Sequence, residues 1–240
     1  MMVRAANGDR RQTVEGKLSA YSRQPTAGSR RRAAKEQAAV GCGLLALLTS
    51  MVLTPPSTAL AQSTHGRALN AATSGGVILL CRHAITGNFS EQEPVDYSDS
   101  TTQRLLAPEG ERQSGRMGRA FRSLDIPVAG VVASPMHRAR RTAELMFDPA
   151  TIEIDSIWHT NGSEFTGPAV EARRRVLRTP LENGNLIIIS HIGTMGNALG
   201  ESPGEVGEGD CVVVRPRGND FEVIGVVKWR EWESASGHEP

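Results

Sequence analysis

Three short segments hold the residue types from which a reaction centre could be built. The first is Cys81-Arg82-His83-Ala84, with Thr86 and Gly87 just beyond it. The second is Ser134-Pro135-Met136-His137-Arg138-Ala139, running on to Thr142-Ala143. The third is Ser190-His191-Ile192-Gly193. Together they supply two histidines and two arginines, a set suited to phosphoryl chemistry. A guanidinium is planar, permanently charged and matches phosphate oxygens two at a time. A neutral imidazole can attack phosphorus, while a second histidine donates to the phosphate oxygens. The attacking nitrogen must be free, so the other ring nitrogen is expected to donate to a backbone carbonyl. Because charge redistribution dominates the transition state, a cationic clamp does much of the catalysis.

Each segment follows a predicted strand. Val77 to Cys81 is a continuous apolar run after Gly75-Gly76, the pattern of a buried parallel strand. Val128–Ala133, Ile152–Ile154 and Leu186–Ile189 read as further strands, the last after an Asn183-Gly184 turn. Cys211–Val214 and Phe221–Val227 read as a closing hairpin around Arg217-Gly218-Asn219-Asp220. Helices are predicted from Pro108 to about Leu124, from Pro135 through Met146, and from Ala169 to Arg178 with a solvated Arg173-Arg174-Arg175 face. The alternation implies an α/β three-layer sandwich, a mainly parallel sheet with helices on both faces. Such sheets bind ligands at the carboxyl ends of their strands, where the three segments fall.

The residues also resemble a family. Leu80-Cys81-Arg82-His83-Ala84 is similar to the Arg-His-Gly/Ala motif of the histidine phosphatase (phosphoglycerate mutase-like) superfamily. Leu106-Ala107-Pro108-Glu109-Gly110-Glu111-Arg112-Gln113 resembles that family's Leu-x-x-x-Gly-x-x-Gln helix opening. Ser134 to Ala143 resembles its Ser-Pro-x-x-Arg-Ala-x-x-Thr-Ala segment, and Ile189-Ser190-His191-Ile192-Gly193 its second histidine site. The four matches stand in family order. The resemblance implies a phosphoglycerate mutase-like fold and hydrolysis of phosphate monoesters. His83 would be the nucleophile, Arg82, Arg138 and His191 would hold the phosphate, and neither metal nor cofactor would be required. The short span between Arg138 and His191 implies a compact phosphatase rather than a mutase. Gln103-Arg104-Leu105 is similar to a bacterial subgroup that includes lipopolysaccharide-core sugar phosphatase-like proteins. That subgroup places Arg104 on the substrate side and implies a small phosphorylated substrate such as a sugar phosphate, while Thr86, just beyond His83, is a further substrate-binding candidate.

A residue to protonate the leaving oxygen is less distinct. Glu164 lies 26 residues beyond Arg138 and is the positional candidate, with Glu91, Asp96 and Asp99 of the early loop as rivals. Without a strong acid, the chain would suit good leaving groups such as phosphohistidine or a phosphoramidate. It would otherwise be a phospholigand-binding protein without turnover. Taken singly, the histidines could be ordinary strand-end residues, and Arg138 could simply pair with Glu144. His137 and His159 read as surface or structural residues, and Trp229 and Trp232 as packing residues. Cys81 does not fit thiol phosphatase chemistry, because position 87 is Gly where that chemistry needs Arg. Pairing of Cys81 with Cys211 is left open by the sequence.

Composition bounds the rest. The chain has 240 residues, 39% hydrophobic and 22% charged, with 3 Cys, which excludes collagen-like, coiled-coil and disulfide-scaffold classes. Residues 1–61 carry 9 Lys+Arg against 3 Asp+Glu, and residues 62–240 carry 18 against 23. An acidic globular part is a poor partner for nucleic acid. The basic start, the apolar run from Ala38 to Leu53 and the small-residue exit Ala59-Leu60-Ala61 form a secretory leader. Residues 62–240 are then one exported domain, periplasmic or secreted, with no stable membrane insertion after cleavage. The alternative is an anchor formed by the uncleaved leader.

Overall fold

The computed structural model describes residues 64–92, 95–159, 167–202 and 204–237. The leader expected over 1–61 lies outside them, and so does Glu164. Among the described residues no helix is long and apolar enough to cross a membrane.

Six strands form one sheet: β1 (Ile78–Arg82), β2 (Val128–Ala133), β3 (Ile152–Ile154), β4 (Asn185–Ser190), β5 (Cys211–Pro216) and β6 (Phe221–Val227). Their order across the sheet is β3-β2-β4-β1-β5-β6. The first four are mutually parallel, while β5 runs antiparallel to β1 and β6 antiparallel to β5. The expected parallel sheet therefore ends in an antiparallel hairpin at one edge. Strand and helix positions follow the apolar periodicity closely, since runs such as Leu186 to Ile189 can satisfy both sheet faces only when buried on both.

The helices are α1 (Thr64–Ser74), α2 (Pro108–Ser123), α3 (His137–Met146), α4 (Pro168–Arg178), α5 (Ile192–Leu199) and α6 (Trp229–Ala235). Alternation along the strands divides the core in two. Leu79, Val131, Ile187, Ile189 and Val213 face a layer built from α1, α2, α3 and α6, with Phe121 against Trp232 at 4.9 Å. Ile78, Leu80, Ile188 and Val212 face Trp158, Val176, Leu177 and Met195 on the other side. Helix α2 lies tight on α3, because a Cβ at Gly118 would come within 2.8 Å of the Met146 backbone.

Two expectations change. Helix α3 begins at His137 rather than Pro135: Ser134 still donates its N–H to Ile189, and Met136 remains extended as the cap. The pairing of the incoming strand thus runs up to the residue before the proline. Arg173 is not solvated but 2% exposed. It donates to the Ile157 carbonyl, in the 3-10 turn Ser156–Trp158 that packs on α4. That turn leaves carbonyls unpaired within it, and a buried donor from the neighbouring helix satisfies one.

Cys81 and Cys211 stand opposite each other in the β1–β5 register and are joined by a disulfide. The bond closes a sequence separation of 130 residues, so it restricts the unfolded chain strongly. Replacing both with Ala is expected to cost about 2–5 kcal/mol in a denaturant titration while far-ultraviolet circular dichroism stays native-like.

Candidate active site

The site is assembled by sheet register. Arg82 pairs with Ser190 across β1 and β4, so the next residues, His83 and His191, leave neighbouring strands at the same level. Their rings lie 5.3 Å apart, centroid to centroid. Ala133 pairs with Ile189 on one side and Ile154 on the other, which brings Ser134 and the turn after β3 to the same edge. Strand β5 is antiparallel, so the loop preceding it, from Val206 to Asp210, reaches this edge as well.

His83 is 2% exposed, and its Nδ1–H donates to the Ala84 carbonyl at 2.9 Å. A carbonyl can only accept, so Nδ1 carries the proton and Nε2 carries the lone pair. This is the arrangement expected of an imidazole that attacks through Nε2. Burial, reinforced by the charges of Arg138, Arg82 and Arg104, lowers the His83 pKa from 6.5 to about 3. His191 is buried too, with Nε2 on the Ser134 hydroxyl at 2.8 Å. Burial and then Arg138 hold it well below the ordinary histidine value. Both imidazoles are neutral at neutral pH.

The expected phosphate ligands gather here. Arg82 donates to the Val206 carbonyl at 3.1 Å and stands 3.8 Å from Glu208. Arg138, 5% exposed, forms an ion pair with Glu91. Pairing with Glu144, the bland reading from sequence, belongs instead to Arg141. Arg104 lies close enough to influence His83, His191 and Arg138. Among the described residues, Arg82 Nε, Arg104 Nε, Arg138 Nε and His191 Nδ1 are buried without a protein partner. Thr86 donates to Glu208 at 2.8 Å.

Supporting contacts explain the motif glycine and glutamine. A Cβ on Gly110 would overlap the Ile85 carbonyl, so only glycine lets α2 approach the chain after His83. Gln113, fully buried, accepts from the Ile85 N–H at 2.9 Å and donates to the Glu208 carbonyl at 2.7 Å. Thr142 Oγ1 accepts from the Ala84 N–H at 3.0 Å and donates to the Arg138 carbonyl at 2.8 Å. The two segments flanking the pocket are thus tied to one another.

The early-loop acids separate. Asp96 and Asp99 are spent on local turns, accepting from Ser98 and Thr101. Glu91 reaches the site through Arg138. Glu208 was not singled out in the sequence, where only its Gly207-Glu208-Gly209 setting before a strand hinted at a loop end. His159, read there as surface or structural, is at the pocket: its ring packs edge-on against His191 at 5.2 Å.

Neutral buried histidines make stability depend on pH. The unfolded chain takes up protons on them near pH 6.5, whereas folded His83 does not until about pH 3. Stability is complete above pH 6.5 and falls as pH drops through this window, by about 1.4 kcal/mol per pH unit for each such histidine. A thermal-melt series from pH 7 to 4 should show this decline, with a shallower slope for His83→Asn.

The histidine phosphatase superfamily (branch 1) matches residues 78–159, a stretch that holds Arg82, His83, Arg138 and His159 and stops short of His191. No curated protein matches the chain. Among solved structures, the protein histidine phosphatase SixA complexed with tungstate is similar at 16% identity and TM-score 0.50, over 64% of this chain and 97% of that one. Phosphoglycerate mutase from Bacillus anthracis aligns at 14% identity and TM-score 0.46, over 70% and 100%. Phosphoserine phosphatase from Entamoeba histolytica aligns at 15% and 0.45, over 65% and 98%. The first of these likenesses bears on the fold alone. Over residues 78–159, this chain is similar to the histidine phosphatase superfamily (branch 1).

Proposed function

We propose that this protein is an exported phosphohydrolase that cleaves phosphate monoesters through a phosphohistidine on His83. One observation carries the reading. Four buried nitrogens, Arg82 Nε, Arg104 Nε, Arg138 Nε and His191 Nδ1, have no protein partner among the described residues and surround a neutral imidazole whose Nε2 is unprotonated. Buried donors are almost always satisfied, so four together call for an anion. A phosphoryl group supplies oxygens for all of them.

In the first half-reaction His83 Nε2 attacks phosphorus and the bond to the leaving oxygen breaks. With the Ser134 hydroxyl donating to His191 Nε2, His191 Nδ1–H is the donor to a phosphate oxygen. In the second half-reaction water displaces His83 and phosphate departs. The arginines neutralise charge throughout, which is where most of the rate arises. Arg82, Arg138, His191 and His83 are therefore the catalytic set, with Arg104 and Thr86 toward the substrate. No step calls on a metal or cofactor. The pocket suits a small phosphorylated molecule, such as a sugar phosphate.

Export is supported by the leader pattern and by the Cys81–Cys211 disulfide, since disulfides persist in oxidising compartments. A periplasmic or secreted location follows.

Purified protein should release phosphate from an aryl phosphate in the presence of a chelator, and His83→Ala should reduce turnover by at least about 10³-fold. Wild-type protein that binds vanadate without turnover would sink the hydrolase reading in favour of a phospholigand-binding protein. Glu91 competes with the incoming phosphate for Arg138, so Glu91→Gln should tighten vanadate binding several-fold in a competition titration.

A further inference from the structure

The hydrolase reading leaves open what protonates the departing oxygen, and the pocket holds a third histidine that it does not use. We propose that His159, held by Tyr97, is the residue that delivers this proton from Nε2. The inference rests on the phosphohydrolase reading above.

The backbone at His159 is fixed from three directions. Asp155 accepts from the Ile157 N–H at 2.9 Å and caps the 3-10 turn. Ser190 of β4 donates to the Trp158 carbonyl at 2.7 Å, and Trp158 itself is buried. Arg173 of α4 donates to the Ile157 carbonyl and, at 3.5 Å, to that of His159. Such support is more than a surface histidine needs.

The ring is fixed as well. Its Nδ1 bonds the Tyr97 hydroxyl at 2.9 Å, and the Tyr97 ring stands edge-on to it at 5.7 Å. No other hydrogen bond reaches the imidazole among the described residues, so Nε2 is the nitrogen open to a ligand. The His191 ring contacts both of the others, with centroids 5.3 Å from His83 and 5.2 Å from His159. His159 thus reaches the pocket through its contact with His191, and the proposal puts the leaving oxygen on this side.

Among the described residues, the rival acids are placed less well. Glu208 lies 3.9 Å from His83 Nδ1, the side of the ring opposite the attacking nitrogen. Glu91 sits on Arg138, which the phosphate must occupy. Asp96 and Asp99 are engaged by Ser98 and Thr101.

The chemistry balances. As the His83 Nε2–P bond forms, the P–O bond breaks and its electron pair stays on the leaving oxygen, which takes the proton from His159 Nε2. In the second step neutral His159 takes a proton from water as the water oxygen bonds phosphorus and the P–N pair returns to His83. The Tyr97 hydroxyl accepts from Nδ1–H when the ring is cationic and donates to Nδ1 when its proton sits on Nε2. The groups facing His159 are Arg138 from α3, Arg173 from α4, His191 at the start of α5, and Glu91 and Tyr97 from the early loop. Burial, then Arg138, lowers its pKa from 6.5, and Glu91 raises it. Turnover of unactivated substrates is therefore favoured by acid.

The test compares full-length wild type, His159→Asn and Tyr97→Phe on p-nitrophenyl phosphate and on glycerol 2-phosphate, from pH 4 to 8, with thermal melts to verify folding. His159→Asn should lose about 10²-fold or more in kcat/KM on glycerol 2-phosphate and stay within about threefold on p-nitrophenyl phosphate, whose leaving group needs no proton. The acid-favoured limb on glycerol 2-phosphate should vanish with it, and Tyr97→Phe should shift that limb. Equal losses on both substrates, no loss on either, or a leaving-group-selective loss in Glu91→Gln instead would each overturn the proposal. A wild type inactive on both substrates would overturn the phosphohydrolase reading itself, which separates the two failures.

Discussion

The site depends on keeping one imidazole neutral and singly occupied among guanidiniums. Three arginines near a histidine would ordinarily be a reason for it to turn outward. Here His83 is enclosed at the end of β1, and its only engaged nitrogen faces the Ala84 carbonyl one residue away. That local bond decides the tautomer, and burial decides the charge. The positive charge that makes the pocket attractive to an anion thus reinforces what burial already does, keeping the lone pair available.

Everything else serves to hold that bond in register. Parallel pairing of β1 with β4 brings His83 and His191 level, and the antiparallel entry of β5 presents Glu208 beneath them. Gln113 joins the chain after His83 to the loop before β5, while Thr142 joins it to Arg138. These are buried, fully used polar side chains, each replacing two waters' worth of hydrogen bonding with fixed geometry. Fixed donors need no reorganisation when charge moves, which is why rigid support and catalysis are linked.

The strand ends were legible because chemistry-bearing residues followed apolar runs that could only be buried strands. Pocket arginines and histidines stood out for the same reason: nothing else brings Arg82, Arg138 and His191 to one edge. Arg173 was misread because an arginine among arginines on a helix looks solvated, and its role depends on a carbonyl at Ile157 that only tertiary packing brings near. His159 carried no local signal. Its place follows from the β3 turn, from Arg173 and from Tyr97, three separate stretches of chain. Glu208 was hidden likewise, since a carboxylate between two glycines declares a loop but not what the loop touches. The Cys81–Cys211 pair could be settled only by the β1–β5 register.

The disulfide has a topological effect separate from its stabilising one. Arg82 directly follows Cys81, and Glu208 lies shortly before Cys211, so every residue assigned to the pocket falls between the two cysteines. The site is therefore contained in one covalent ring of chain. A protease cutting a single peptide bond anywhere in that ring, the long loop after Thr86 included, leaves two segments joined through the disulfide and releases no fragment. A molecule nicked in this way would keep all the pocket's parts tethered at β1 and β5.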